Sequence, residues 1–179
     1  MRSDGGADPG GEARRPAVRD DDGGSGITAL SLRLLALLVA VVVVAADQIT
    51  KAWALRALAD GQITLIDGSL NLRLVFNTGA SFSIFAKGGA IIGLVVVGVV
   101  ILIFVALRQA GHRLDAVALG LVLGGAVGNL IDRLARGGGF LDGAVVDFIN
   151  VPWFATFNVA DIAINVGVGL LLLSAFLRR

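Results

Sequence analysis

Residues 89–107 read GAIIGLVVVGVVILIFVAL, an uninterrupted apolar stretch without a charged side chain. A helix rises about 1.5 Å per residue, so a stretch of this length nearly crosses a hydrocarbon core of roughly 30 Å. It therefore predicts a membrane-spanning helix, and this sets the fold class for the rest of the chain.

Three further segments have the same apolar character and cover about residues 27–46, 114–131 and 156–177. The second of them carries small residues at four-residue spacing, which let another helix approach closely: Gly120, Gly124 and Gly128. With residues 89–107 they predict an all-α membrane protein with four transmembrane helices, built from residues 27–179.

The composition excludes several classes of function. Hydrophobic residues make up 56% of the chain and charged residues 16%, which is outside the soluble globular range. A net charge of +1 and the lack of a basic stripe argue against nucleic acid. Cysteine is absent and His112 is the single histidine, so no metal site is expected. Membrane lipid is the expected surrounding, and neither a cofactor nor an obligate protein partner is implied.

The segments outside the spans differ in character. Residues 1–26 are polar and glycine-rich, and we interpret them as a disordered cytoplasmic tail. Residues 59–85 alternate apolar and polar side chains around Asp67-Gly68 and Asn77-Thr78-Gly79, which predicts a small strand-rich lobe. Residues 132–155 are expected to form a loop between the third and fourth spans.

Positive charge predicts the orientation. Arg108, His112 and Arg113 cluster in the short loop after the second span, and Arg178-Arg179 end the chain. Both groups are typical of the cytoplasmic side. Four spans then place both termini inside, and the two long loops lie at the outer face.

Two pairs of charges lie at the ends of predicted spans. Asp47 and Lys51 have the i,i+4 spacing of an ion pair on one helix face, which favours a structural or positioning role. Asp132 and Arg133 follow the third span, and taken alone they indicate a solvated helix end.

Asp147 and Asp161 have a different setting. Asp147 is flanked by Val145, Val146 and Phe148, and Asp161 lies about one turn inside a fourth span that starts near residue 156. Two carboxyls a few ångströms apart share one proton and provide a base and an acid for amide hydrolysis. Two other functions stay open at this point: a small proton-coupled transporter using the same carboxylates, and a membrane scaffold.

The sequence resembles the lipoprotein signal peptidases, the bacterial signal peptidase II family, over nearly all of the chain after the tail. The resemblance rests on five blocks: Asp47-Gln48-Ile49-Thr50-Lys51, Phe76-Asn77-Thr78-Gly79-Ala80-Ser81-Phe82, Gly124 to Arg133, Val146-Asp147-Phe148 and Phe157-Asn158-Val159-Ala160-Asp161. Together, in this order and at these positions relative to the four predicted spans, the blocks are highly specific for the family.

The resemblance implies four helices in the bacterial cytoplasmic membrane, an extracytoplasmic β-cradle, and an aspartic endopeptidase that globomycin inhibits. The implied substrates are prolipoproteins, cut before a cysteine that carries diacylglycerol. Asp147 and Asp161 match the catalytic dyad of the family. Eight further residues match positions that surround or support that site: Asp47, Lys51, Asn77, Asn129, Asp132, Arg133, Asn158 and Ala160.

Overall fold

The computed structural model describes residues 22–79, 89–108 and 110–178. In chain order these residues form α1 (Asp22–Ala57), β1 (Ile63–Ile66), β2 (Leu70–Asn77), α2 (Gly89–Leu107), α3 (Arg113–Ala135), β3 (Val145–Asn150) and α4 (Val159–Leu177). Residues 1–21 of the predicted tail lie outside the described residues, and α1 includes residues 22–26, the last part of that predicted tail.

The third helix, α3, is the centre of the bundle and is largely buried, whereas α1 and α4 expose most of their apolar surface. The predicted glycine ridge explains how closely the helices pack. A Cβ atom on Gly120 would lie 2.5 Å from the carbonyl oxygen of Ala36 in α1, and one on Gly124 would lie 2.8 Å from the carbonyl oxygen of Ala40. Only glycine permits this approach of backbone to backbone.

Among the described residues, three helices are long and apolar enough to cross a membrane: Ala29–Ala57, Arg113–Ala135 and Val159–Leu177. The part of α2 from Gly93 to Leu107 is apolar but shorter, so the count of four spans stays a prediction.

The helices differ in extent from the predicted spans. The first span was expected to end near residue 46, but α1 continues to Ala57 because Asp47 and Lys51 pair with each other inside the helix. The fourth helix begins at Val159 rather than near residue 156, because Asn158 caps it.

The three strands form one antiparallel sheet in the order β1-β2-β3. The strands β1 and β2 lie in the lobe predicted for residues 59–85, whose last six residues are outside the described part. The turn signals are also confirmed: Gly68 and Gly79 adopt positive φ, and the Gly79 N–H donates to the side chain of Asn77.

The strand β3 was not predicted, and the interpretation of residues 132–155 as a loop throughout is wrong. Five of its six residues are buried, so both faces of the strand are covered and its sequence shows no alternation of period two. It pairs with β2, where Val75 lies opposite Asp147. The sheet packs on the end of α1 through Phe148, Ala54 and Leu58.

The glycines of α4 give a test of this packing. A Cβ on Gly167 would lie 2.6 Å from Val122 and 2.7 Å from the carbonyl oxygen of Ala118, whereas a Cβ on Gly169 meets nothing within 4 Å. We expect Gly167→Ala to destabilise the protein by about 1–3 kcal/mol through overpacking. The measurement is thermal unfolding in detergent.

Gly169→Ala is the matched control, because it brings the same helix propensity to the same helix without a clash. Equal melting temperatures for the two variants would contradict the packing of α4 on α3.

Candidate active site

A buried ion network connects α1 to α3. The Lys51 ammonium lies 2.8 Å from Oδ2 of Asp47 and 2.9 Å from Oδ2 of Asp132, and all three side chains are 0% exposed. The predicted Asp47–Lys51 pair is therefore confirmed. The interpretation of Asp132 as part of a solvated helix end is wrong, because α3 continues to Ala135 and directs this carboxylate at Lys51.

The two carboxylates of this network also hold backbone groups on other elements. Asp132 Oδ2 accepts from the N–H of Val146 at 3.1 Å, and Asp47 Oδ1 accepts from the N–H of Ala160 at 3.0 Å. Val146 and Ala160 immediately precede Asp147 and Asp161. One ion network thus positions both candidate catalytic residues through the adjacent peptide groups.

Asp147 lies on β3 and is 1% exposed. Its two carboxylate oxygens accept hydrogen bonds from Asn77 Nδ2 at 3.0 Å and from Asn158 Nδ2 at 2.7 Å. Burial, together with the negative charge of Asp161, raises the pKa of Asp147 from its usual 3.8 to about 6, although the hydrogen bonds from the two amides and the charge of Lys51 lower it. A carboxyl with such a pKa is suited to proton transfer near neutral pH.

Asp161 lies in the first turn of α4, rather than one turn inside it, and forms a capping box with Asn158. The N–H of Asp161 donates to Asn158 Oδ1 at 3.0 Å, and Asp161 Oδ2 accepts from the N–H of Asn158 at 3.2 Å. Since the Asn158 side chain also donates to Asp147, this one residue connects the two aspartates.

Asn129 connects the ion network to the aspartates. Its Oδ1 accepts from Lys51 Nζ at 3.0 Å and from Asn158 Nδ2 at 3.1 Å, which leaves its Nδ2 to donate to Asp161 Oδ1 at 2.9 Å. Because an ammonium is only a donor, Lys51 fixes which way the Asn129 amide points.

The structure also locates the other two residues predicted for the site. Ala160 is fully buried, and its carbonyl group lies so close to Gly125 that a Cβ there could not be accommodated. Arg133 is buried too, and its guanidinium donates to the carbonyl oxygen of Gly143 at 3.4 Å in the loop before β3. Arg133 therefore supports this loop, and its positive charge also interacts favourably with the carboxylates of Asp147 and Asp132.

Two polar residues of the site were not predicted. Gln48 Nε2 donates to the carbonyl oxygen of Gly128 at 3.1 Å, and Arg136 forms an ion pair with Asp132 at 3.0 Å. The i,i+4 spacing of Asp132 and Arg136 on one helix could have indicated the second contact; no sequence signal indicates the first. Within the described ranges, no group of three or more acidic or histidine side chains could hold a metal ion.

Two cavities open beside the aspartates, and Asn77 lines both. One, of about 450 Å³, is bordered by Asp161 and by Ile162, Ile164 and Val166 along α4. The other, of about 280 Å³, is bordered by Asp147 and by polar residues of the sheet and the adjoining loops, among them Arg73, Thr78 and Thr156. Asp161 therefore borders a largely apolar cavity, and Asp147 borders a more polar one.

These features define a multi-pass membrane protein with a carboxylate site where its sheet meets its helices. The sequence profile of the family described as signal peptidase (SPase) II matches residues 39–177. A lipoprotein signal peptidase of Symbiobacterium thermophilum is 44% identical over 150 residues, covering 78% of this chain and 93% of the relative. A lipoprotein signal peptidase of Rhodococcus jostii is 45% identical over 140 residues, covering 78% of this chain and 71% of the relative.

A solved structure of a bacterial membrane enzyme superposes with a TM-score of 0.67 at 29% identity, covering 78% of this chain and 91% of that chain. The chain belongs to the signal peptidase II family, as its sequence blocks had indicated. It is a protease, and a multi-pass protein of a bacterial membrane.

The ion network predicts a large effect for Lys51→Met. This change keeps the length of the side chain but leaves two buried carboxylates without their cation, which costs about 3–5 kcal/mol. We expect a strongly lowered melting temperature in detergent and loss of the folded form at elevated temperature.

Arg56→Met is the control, because Arg56 lies on the same helix and is exposed. If both variants had the melting temperature of the wild-type protein, this result would contradict the role of Lys51 in holding α1 and α3 together.

Proposed function

We propose that this chain is an aspartic endopeptidase that removes the signal peptide from diacylglyceryl-modified prolipoproteins, cleaving before the lipidated cysteine, with Asp147 and Asp161 as its catalytic residues. The observation that carries the proposal is the pair of carboxyls linked through Asn158. Family membership supports the protease activity, and the relatives named lipoprotein signal peptidases support this class of substrate.

The chemistry needs one shared proton. The ionised carboxyl takes a proton from water as the water oxygen attacks the scissile carbonyl carbon, while the protonated carboxyl hydrogen-bonds the carbonyl oxygen. As the C–N bond breaks, a proton passes to the departing amine. A pKa of about 6 at Asp147 keeps a protonated form accessible under mild conditions.

The apolar cavity beside Asp161 supports a lipid-modified substrate. Ile162 and Val166 are 44% and 49% exposed on α4, facing the space where acyl chains would lie in a bilayer. The exposed Trp153 and Phe154 in the loop before α4 suit a membrane interface. We therefore place the site at the outer face of the cytoplasmic membrane, with four spans and both termini in the cytoplasm.

The dyad is tested with purified protein in detergent and a diacylglyceryl-modified prolipoprotein, following the product by mass spectrometry. We expect Asp147→Asn and Asp161→Asn each to lower the cleavage rate by at least about 100-fold, because each removes a group that transfers protons. Retained cleavage in either variant would contradict the assignment of that residue.

Asp67→Asn is the control, because Asp67 is exposed in the β1–β2 turn. In the same assay globomycin is expected to block cleavage and a metal chelator to leave it unchanged. Strong inhibition by the chelator would contradict a mechanism based on two carboxyls.

The pH dependence gives a separate test. If the reaction needs one shared proton, kcat/KM should fall as pH rises through about 6 and that proton is lost. Asn77 stabilises the charged form of Asp147 by a hydrogen bond, so Asn77→Ala should move the descending limb to higher pH, by about one unit.

Asn71→Ala, on the same strand, is the control and should leave the limb in place. The position of the limb is independent of any loss of substrate binding by Asn77→Ala. A descending limb at the same pH as in the wild-type protein, or at a lower pH, would contradict the role given to Asn77.

A further inference from the structure

A groove lined by α1, α2 and α3 takes no part in the proposed reaction. Both α1 and α2 pack against α3, and between them lies a cavity of about 440 Å³ whose lining is entirely apolar. Its walls and floor come from three helices: Leu37, Val41 and Ala45 of α1, Phe104 of α2, and Leu123 and Val127 of α3.

One end of this groove is basic. An adjoining cavity of about 160 Å³ shares Leu37 and Phe104 with the groove and is also lined by Arg33 and Arg108. Both arginines are exposed. Among the ion pairs of the described residues, neither arginine has a carboxylate partner, whereas the cations Lys51, Arg136 and Arg178 each have at least one.

The basic end lies far from the ion network beside the proposed catalytic aspartates. Arg33 is about four turns before Asp47 on α1, which separates them by roughly 21 Å along the helix axis. Arg108 begins the short loop whose positive charge predicts the cytoplasmic side. The groove therefore extends from the end of the bundle opposite the site into the apolar part of the helices.

We propose that this groove is a binding site for an anionic phospholipid, whose phosphate contacts Arg33 and Arg108 and whose acyl chain lies against Leu37, Val41 and Phe104. Two arginines at the mouth of an apolar cleft, with no ion-pair partner among the described residues, match a ligand that is negative at one end and apolar along the rest. Basic pockets between transmembrane helices on the cytoplasmic side bind lipid head groups for this reason. The inference goes beyond the proposed function and does not depend on it.

The test uses the full chain in detergent and native mass spectrometry with phosphatidylglycerol and phosphatidylcholine of identical acyl chains. We expect wild-type protein to retain phosphatidylglycerol preferentially. The double variant Arg33→Gln/Arg108→Gln should lose about 30-fold in that preference, because each arginine near a membrane surface strengthens the binding of anionic lipid by about fivefold. The control Arg56→Gln removes an exposed arginine of α1 that does not line the groove and should keep it.

A second pair of variants tests the apolar part. Ala45 lines the groove and Ala46 does not, although both are exposed on α1. Ala45→Phe should fill the cleft and lower phosphatidylglycerol retention, and Ala46→Phe should not. Glycerol 3-phosphate, which has the anionic group without acyl chains, should fail to displace the lipid at equal concentration.

Three results would overturn the proposal. Equal retention of the two lipids by wild-type protein would indicate general lipid contact only. An unchanged preference in the arginine double variant would contradict the contact between the two arginines and the lipid phosphate. Displacement by glycerol 3-phosphate, or equal effects of Ala45→Phe and Ala46→Phe, would show that the groove does not hold the acyl chain.

Discussion

The structure depends on the compensation of one buried cation, Lys51, by two buried carboxylates, Asp47 and Asp132. Charges without water are costly unless they are paired and hydrogen-bonded. Lys51 meets this requirement with partners 2.8 and 2.9 Å away on two helices, and Asn129 accepts its third hydrogen bond. The carboxylates use their remaining capacity on two backbone N–H groups. The same contacts that permit the charges to be buried therefore fix α1, α3, β3 and α4 relative to one another.

This arrangement places the proposed catalytic pair on a rigid support at some cost in stability. Asp147 and Asp161 each follow a residue whose N–H is held by the network, so their positions do not rely on loop conformation. Burial raises the pKa of Asp147 from 3.8 to about 6, so the folded state binds its proton more tightly than the unfolded state does. Its contribution to stability is therefore greatest at low pH and is lost as pH rises from about 4 to about 6. The network compensates by holding the surrounding elements.

The sequence predicted the parts of this design that are local or follow a helical period. The glycine spacing of α3 indicated close helix packing, and the spacing of Asp47 and Lys51 indicated an ion pair. The burial of Asp132 could not be predicted, because its partner Lys51 lies on another helix and far away in the chain. Likewise β3 has no alternating pattern, since both faces are covered, and only its pairing with β2 defines it as a strand. Family resemblance supplied the roles of the aspartates, which their spacing alone did not.

The same electrostatic constraint has different outcomes at the two ends of the bundle. At the site, each charge of the network has a partner within the protein. At the opposite end, Arg178 pairs with the buried Asp115 at 2.8 Å, and Ser174 donates to the same carboxylate oxygen at 2.7 Å. Within the described part of the chain, Arg33 and Arg108 face the groove at that end without such a carboxylate, although Asp115 shows that an acidic partner is compatible with the fold there. Where no carboxylate of the described residues compensates a cation beside an apolar cleft, a bilayer offers a counter-charge in the phosphate of a lipid.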